Sequence, residues 1–277
     1  MITSKSNEQI KFLVSLKNKK YREKYSKYII EGIKIIGEMI DSEGINPSES
    51  IVYSPEILER LNNGKELLSK IKQVDIEKTE VSAEVFEHIS ETETPQGVLV
   101  VKDIPNLEEK DIFQNLKNDV ERSKNILVLD KVSDAGNFGT IIRSAVTFGI
   151  DSIICLKGTV DMYNSKVVRS TMGAISKLNI YYVDEEMYKK IVKLLVNGNY
   201  EIVGTDLKAT TYLRKLDFTK NIVFVMGNEA NGMSDVVKAI CTELIKIPIM
   251  PNQESLNVGV ATGICLYEKY INANNKI

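Results

Sequence analysis

Apolar and polar positions along the chain fall into two regimes. From residue 125 onward, short continuous apolar runs alternate with longer stretches of helical spacing. NILVLD (125–130), SIICL (152–156), NIYYV (179–183), YEIVG (200–204) and NIVFVMG (221–227) read as buried strands, and ELIKIPI (243–249) contains another. Between them, residues 138–148 carry Phe138, Ile141, Ile142, Ala145 and Phe148 at helical intervals, and residues 164–177, 185–196, 234–240 and 255–270 also suit helices. Strands alternating with helices predict an α/β fold with a mostly parallel sheet covered on both faces. Ligands of such sheets sit at the carboxyl ends of the strands, so chemistry is expected in the loops after Leu129, Met226 and Ile249.

The first third is less regular. Residues 7–18 place Ile10, Leu13 and Leu16 roughly on one helical face, and YIIEG (28–32) reads as a strand entering a helix through Gly32. IVYS (51–54) is a second strand, residues 55–70 suit one helix with Pro55 at its start, and residues 81–89 a short helix. GVLVV (97–101) is a continuous apolar strand after the TPQG turn. Residues 102–124 are charged, carry Pro105 and read as a linker holding at most a short helix. The expected organisation is a first domain over 1–105, a linker over 106–124 and a second domain over 125–277.

Charge adds one feature. The chain holds 36 basic and 38 acidic residues, but residues 1–28 hold eight basic residues against only Glu8 and Glu23. Such a segment is either a solvated helix face or a grip on phosphates, with Lys17, Lys19, Lys20 and Arg22 as candidates. No apolar run approaches the roughly 20 residues of a membrane span, and MITSKSNEQIKF lacks the apolar centre of a signal peptide. Cys155, Cys241 and Cys265 are scattered, which suggests reduced thiols and a cytoplasmic protein. The single histidine, His88, rules out a multi-histidine metal site and weighs against Ser-His chemistry. No metal is expected.

Three loops stand out. In DKVSDAGNFGTIIRSA (130–145), Gly136, Asn137 and Gly139 follow a strand and open a helix, yet neither the dinucleotide nor the P-loop fingerprint is present. Asn137 is placed to cap that helix. Arg143, read as near the helix start, is disfavoured by the macrodipole and needs an anionic partner, either a nearby carboxylate or a phosphate. In MGNEANGMS (226–234), Gly227 would let a ligand approach the backbone, and Ser234 would cap the next helix. Glu229 could bond a ribose, pair with Arg143 or face solvent. In IPIMPNQESLNVG (247–259), Pro248 and Pro251 rigidify the loop and Ser255 can cap the last helix. Capping by Ser255 leaves Asn257, a poor interior helix former, unexplained.

Together these loops resemble the SpoU/TrmH family of SPOUT RNA methyltransferases. Asn137, Gly139 and Arg143 match its N-x-G-x-x-x-R motif, and Gly227, Asn228, Glu229 and Gly232 its G-N-E-x-x-G motif. Ile247, Pro248, Met250 (shifted by one), Ser255, Leu256, Asn257 and Val258 match its I-P-M…S-L-N-V motif. IIEGIKIIGEMI and TPQGVLVV resemble the family's ribosomal-protein-like, RNA-binding α/β domain. The chain departs from the family in carrying Ala135 where proline is frequent, and in lacking a glycine near Asn252.

The resemblance implies a SPOUT fold whose C-terminal helix threads a trefoil knot, against the general rule, and a homodimer with each site near the interface. It implies S-adenosyl-L-methionine bound bent among the three loops, with Thr205, Gly227, Ile247, Met250 and Leu256 around it. It implies methyl transfer to a ribose 2′-hydroxyl, with Arg143, Asn137, Glu229, Ser255 and Asn257 as catalytic residues. Arg143 is the family's candidate base or phosphate anchor, and the anchor is chemically easier because a guanidinium stays protonated. Ribosomal RNA is favoured as the substrate. The alternatives are transfer RNA, an antibiotic-resistance methylation of ribosomal RNA, and a non-catalytic RNA-binding protein of the same fold. A nucleotide-dependent oxidoreductase is weakened by the missing dinucleotide fingerprint.

Overall fold

The computed structural model describes residues 1–42, 44–250 and 254–273. They form two compact units, one of Met1–Asn106 with Tyr163–Arg169, the other of Leu107–Met162 with Ser170 onward.

The first unit runs α1 (Glu8–Ser15), α2 (Lys19–Tyr25), β1 (Lys27–Glu31), α3 (Ile33–Asp41), β2 (Ser50–Tyr53), α4 (Pro55–Arg60), α5 (Gly64–Gln73), β3 (Glu77–Glu80), α6 (Ala83–Ile89) and β4 (Val98–Asp103). Its sheet has the order β1-β4-β2-β3. Only the β2–β3 pair is parallel. Ile10, Leu13 and Leu16 do share a face, and they pack with Val85, Phe86, Ile89, Leu99 and Val101. The helix expected over 55–70 is two helices, because Leu61 leaves helical geometry and Asn63 turns left-handed at φ 64°. Strand β3 has no apolar run to reveal it; its single buried position is Thr79.

The second unit contains α7 (Glu109–Glu121), β5 (Ile126–Leu129), α8 (Ala135–Thr147), β6 (Ser152–Leu156), α9 (Ser165–Thr171), β7 (Asn179–Val183), α10 (Glu185–Asn197), β8 (Tyr200–Thr205), β9 (Thr211–Tyr212), β10 (Asn221–Met226), α11 (Asp235–Ile240), β11 (Glu243–Lys246) and α12 (Val258–Ala273). Residues 165–169 of α9 belong to the first unit by contact. The helix expected over 164–177 stops early because Met172 and Gly173 both take positive φ, 48° and 87°.

The strands follow the order β7-β6-β5-β10-β8-β11-β9, and every pairing is parallel. The chain builds outward from β5 through β6 and β7, then returns to the opposite side with β8, β10 and β11. The junction of β5 and β10 is therefore a switch point, where neighbouring loops part and leave a crevice. Leu129 lies opposite Met226, so the carboxyl ends of these two strands are level.

The linker reading of 106–124 is corrected by α7. Leu116 and Val120 are buried in one core with Ile126, Tyr188, Leu195 and Tyr200. Charged residues dominate the segment because only a narrow stripe of this surface helix faces the sheet. Among the described residues, no helix is long and apolar enough to cross a membrane.

Candidate active site

Loop 130–134 joins β5 to α8 and is shaped by its own polar groups. Asp134 is the N-cap of α8, its carboxylate accepting from the Asn137 backbone N–H at 2.8 Å. The capping role expected of Asn137 thus falls to Asp134, which frees the Asn137 side chain. That side chain joins two other loops: Nδ2 donates to Glu229 Oε1 at 3.0 Å, and Oδ1 accepts from Asn257 Nδ2 at 2.8 Å.

Asn257 also resolves the polar start of the last helix. Its Oδ1 accepts from the backbone of Gly259 at 2.9 Å and of Val260 at 3.3 Å, and its carbonyl accepts from Ala261. Asn257, not Ser255, caps α12, because the helix begins only at Val258. Ser255 stands exposed before the helix.

Glu229 gathers donors rather than a cation. Its carboxylate accepts from Ser133 N and Oγ, both at 3.1 Å, from Asp134 N at 3.1 Å, from Asn137 Nδ2 at 3.0 Å and from Asn228 Nδ2 at 3.2 Å. Partial burial pushes its pKa up, but the hydrogen bonds from Asn137 and from the backbone of Glu229, Ser133 and Asp134 outweigh it and bring the value down to about 2. Asn228 adds a second tie, donating to the Lys131 carbonyl at 2.9 Å where the backbone turns left-handed at φ 61°. Its Oδ1 accepts from Ala230 and Asn231 and closes the loop on itself. Ser133 and Asp134 went unassigned in the sequence, and Asn228 was matched to a motif but given no role; the signal was their polar character beside strand ends.

Glycine at 227 has a local cause. A Cβ there would sit 2.2 Å from Met233 N and 2.3 Å from the Gly232 carbonyl carbon, so the loop's own backbone already requires a glycine. Gly139 is likewise a packing residue, since a Cβ would meet Ser170 Oγ at 1.7 Å.

Arg143 is exposed, and among the described residues no carboxylate or hydrogen-bond acceptor engages its guanidinium. The carboxylate partner considered from sequence, Glu229 included, is therefore not what holds it. Because α8 begins at Ala135, Arg143 lies more than two turns in, beyond the reach of the N-terminal dipole.

Three of the expected cofactor residues share the carboxyl edge of the sheet. Thr205 ends β8, Gly227 follows β10, and Ile247 follows β11, on adjacent parallel strands with Gly204 opposite Val225 and Thr205 opposite Ile245. Met250 is 76% exposed and Leu256 half-buried. Pro251 and Asn252 lie outside the described residues. Described residues 247–250 and 254–256 make no hydrogen bond to other described residues. Backbone donors and acceptors beside Ile247, Met250 and Leu256 that meet no other described residue suit a ligand with polar edges, as adenosine has. Among the described residues, no group of His, Cys, Asp and Glu could hold a metal ion.

The basic segment divides. Arg22 is 5% exposed, and its guanidinium donates to the carbonyls of Leu16 and Lys17. Lys17 donates to the carbonyls of His88 and Ser90. Both fasten the chain to itself. Lys19 and Lys20 are exposed, and Lys19 lies 3.6 Å from Glu23.

Comparison with known proteins shows the family. The SpoU rRNA Methylase family matches residues 124–267, and an MRM3-like substrate binding domain matches residues 7–100. The chain belongs to the SpoU rRNA methylase family. It is 29% identical to the 23S rRNA (guanosine(2553)-2′-O)-methyltransferase RlmP of Bacillus subtilis over 96% of this chain and 97% of that one. It is 34% identical to the 23S rRNA (guanosine-2′-O-)-methyltransferase RlmB of Coxiella burnetii, over 64% of this chain and 70% of that one. The crystal structure of an AdoMet-bound rRNA methyltransferase from Sinorhizobium meliloti superposes with a TM-score of 0.79 at 26% identity, covering 97% of this chain and 96% of that one.

Proposed function

We propose that this protein transfers the methyl group of S-adenosyl-L-methionine to a ribose 2′-hydroxyl of large-subunit ribosomal RNA, at a guanosine as in the two relatives named above. The observation that carries this reading is the chain Glu229–Asn137–Asn257, which links one residue of each family motif, while Arg143, on the same helix as Asn137, meets no carboxylate among the described residues.

When bound, S-adenosyl-L-methionine supplies a methyl group already activated on a sulfonium sulfur. The chain's own work is then positioning and electrostatics. Thr205, Gly227, Ile247, Met250 and Leu256 hold the cofactor at the carboxyl edge of β8, β10 and β11. Arg143 binds the phosphate of the target nucleotide and steadies the negative charge growing on its 2′ oxygen. Glu229, a very weak base that already accepts from five donors, fixes Asn137 and loop 131–134 rather than taking the proton. Ser255 and Asn257 flank the ribose at the start of α12. Residues 1–105 present the RNA and residues 125–277 carry the transfer, with α7 part of the second body.

Two further features belong to this reading. Val260 and Tyr267 are exposed on α12 and align with Ile264 and Ile271 in one stripe, which suits pairing with a second copy of the chain. Threading of the C-terminal segment into a trefoil knot is supported by the family and by the packing of α12 against α8. The protein works in the cytoplasm, where ribosomal RNA is met.

The test is incubation with methyl-labelled S-adenosyl-L-methionine and unmodified 23S ribosomal RNA or transfer RNA. Label on the ribosomal RNA is expected. Label confined to transfer RNA, or no cofactor binding, would overturn the reading.

A further inference from the structure

Helix α2, with the sequence KKYREKY, presents an aromatic and cationic face that the transfer reaction does not use. Tyr21 and Tyr25 are one turn apart, their rings stacked at 6.2 Å between centroids and 13° between planes. Phe12 of α1 meets Tyr25 edge-on at 5.1 Å, and Lys24 Nζ lies 5.0 Å from the Tyr25 centroid. Apolar rings at this spacing are usually core, yet Tyr25 is 39% exposed. Lys20 and Lys24 are exposed on the same side, and among the described residues neither meets a carboxylate. Arg22 is buried and fixes the helix through the carbonyls of Leu16 and Lys17.

We infer that this face of α2 is a binding platform for single-stranded RNA, an unpaired base stacking on Tyr25 while Lys20 and Lys24 take the flanking phosphates. Aromatic rings interleaved with unpaired ammonium groups match a strand with exposed base faces and regular negative charge. A duplex offers the lysines phosphates but keeps its bases stacked inside, so it leaves the rings unused. A protein partner would have to bring its own carboxylates to both ammonium groups, whereas a nucleic-acid strand carries an anion at every residue. The inference rests on the RNA reading above and adds to it which surface of the first unit holds the RNA.

Binding is measured by anisotropy with an unstructured oligoribonucleotide and a duplex, across a salt series, together with KM and kcat for methylation of 23S ribosomal RNA. Tyr25→Ala weakens single-strand binding about tenfold, Tyr25→Phe stays within about twofold, and kcat at saturating RNA is unchanged. The pair Lys20→Ala and Lys24→Ala lowers the slope of log affinity against log salt by roughly 1.4. Both lysines are exposed, and among the described residues neither meets a carboxylate, so the pair keeps the test valid if Tyr25→Ala unfolds. Unchanged single-strand affinity and salt slope would overturn the platform, as would an equal loss of duplex and single-strand binding. A wild-type protein that shows these binding effects but transfers no methyl group would overturn the enzymatic reading alone.

Discussion

A carboxylate surrounded by donors is held in its charged form, and Glu229 accepts from five. Its folded pKa of about 2 lies below the ordinary 4.5. The stability that this ionisation contributes is therefore complete above about pH 4.5 and is lost as pH falls through about 2. The pH–rate profile should show no limb from Glu229 at pH 5 or above; a limb near neutrality that vanishes in Glu229→Gln would make it a proton-transfer residue instead. Glu229→Gln keeps the shape but weakens the charge-assisted bonds, and it should lower kcat roughly ten- to hundredfold with cofactor affinity changed far less. At this scale the sequence showed which residues matter but not how they connect. Asn137, Glu229 and Asn257 were legible as motif positions. That Asp134 would take the cap and release Asn137 depends on two residues competing for one helix end. The inward turn of Lys17 and Arg22 was hidden because their partners are backbone carbonyls, which carry no residue signature.

Among the elements, strands with continuous apolar runs were easy to read. SIICL and NIYYV occupy the expected residues, and the other buried strands differ by a residue or two at their ends, except that β11 is only the first part of its run. Polar elements were not. β3 is EKTE, and α7 is a charged segment whose buried stripe is narrow. If α7 is part of the core, Leu116→Ala should cost about 2–5 kcal/mol in urea unfolding. A change below about 0.5 kcal/mol, typical of exposed sites, would restore the linker. Helix breaks were the other blind spot, because Asn63 and Met172 adopt left-handed backbone without being glycine. Residues of this kind become visible only when tertiary packing fixes the turn.

For the whole molecule, the order of the parallel sheet puts the switch point beside β5 and β10, where the motif loops meet. The alternation of strand and helix predicted such a sheet, but not that β10 would insert between β5 and β8. That order depends on long-range pairing that local periodicity does not record. The exposed stripe of α12 belongs to this scale as well. Tyr267→Glu should convert a dimer to a monomer in sedimentation, since a buried unpaired carboxylate is strongly unfavourable. A wild-type protein that sediments as a monomer at micromolar concentration would remove the homodimer from the account.

The central claim is methylation of a ribose hydroxyl positioned by Arg143, and one mapping experiment tests it. Methyl-labelled S-adenosyl-L-methionine is incubated with 23S ribosomal RNA and either the wild-type protein or Arg143→Ala, and the RNA is then hydrolysed in alkali. Label from the wild type should lie at a bond that resists cleavage, because a methylated 2′ oxygen cannot attack the neighbouring phosphate. Arg143→Ala should bind the cofactor with little loss yet leave that bond unlabelled. Label at a cleavable position would place the methyl group on a base, and undiminished transfer by Arg143→Ala would contradict the role given to its guanidinium.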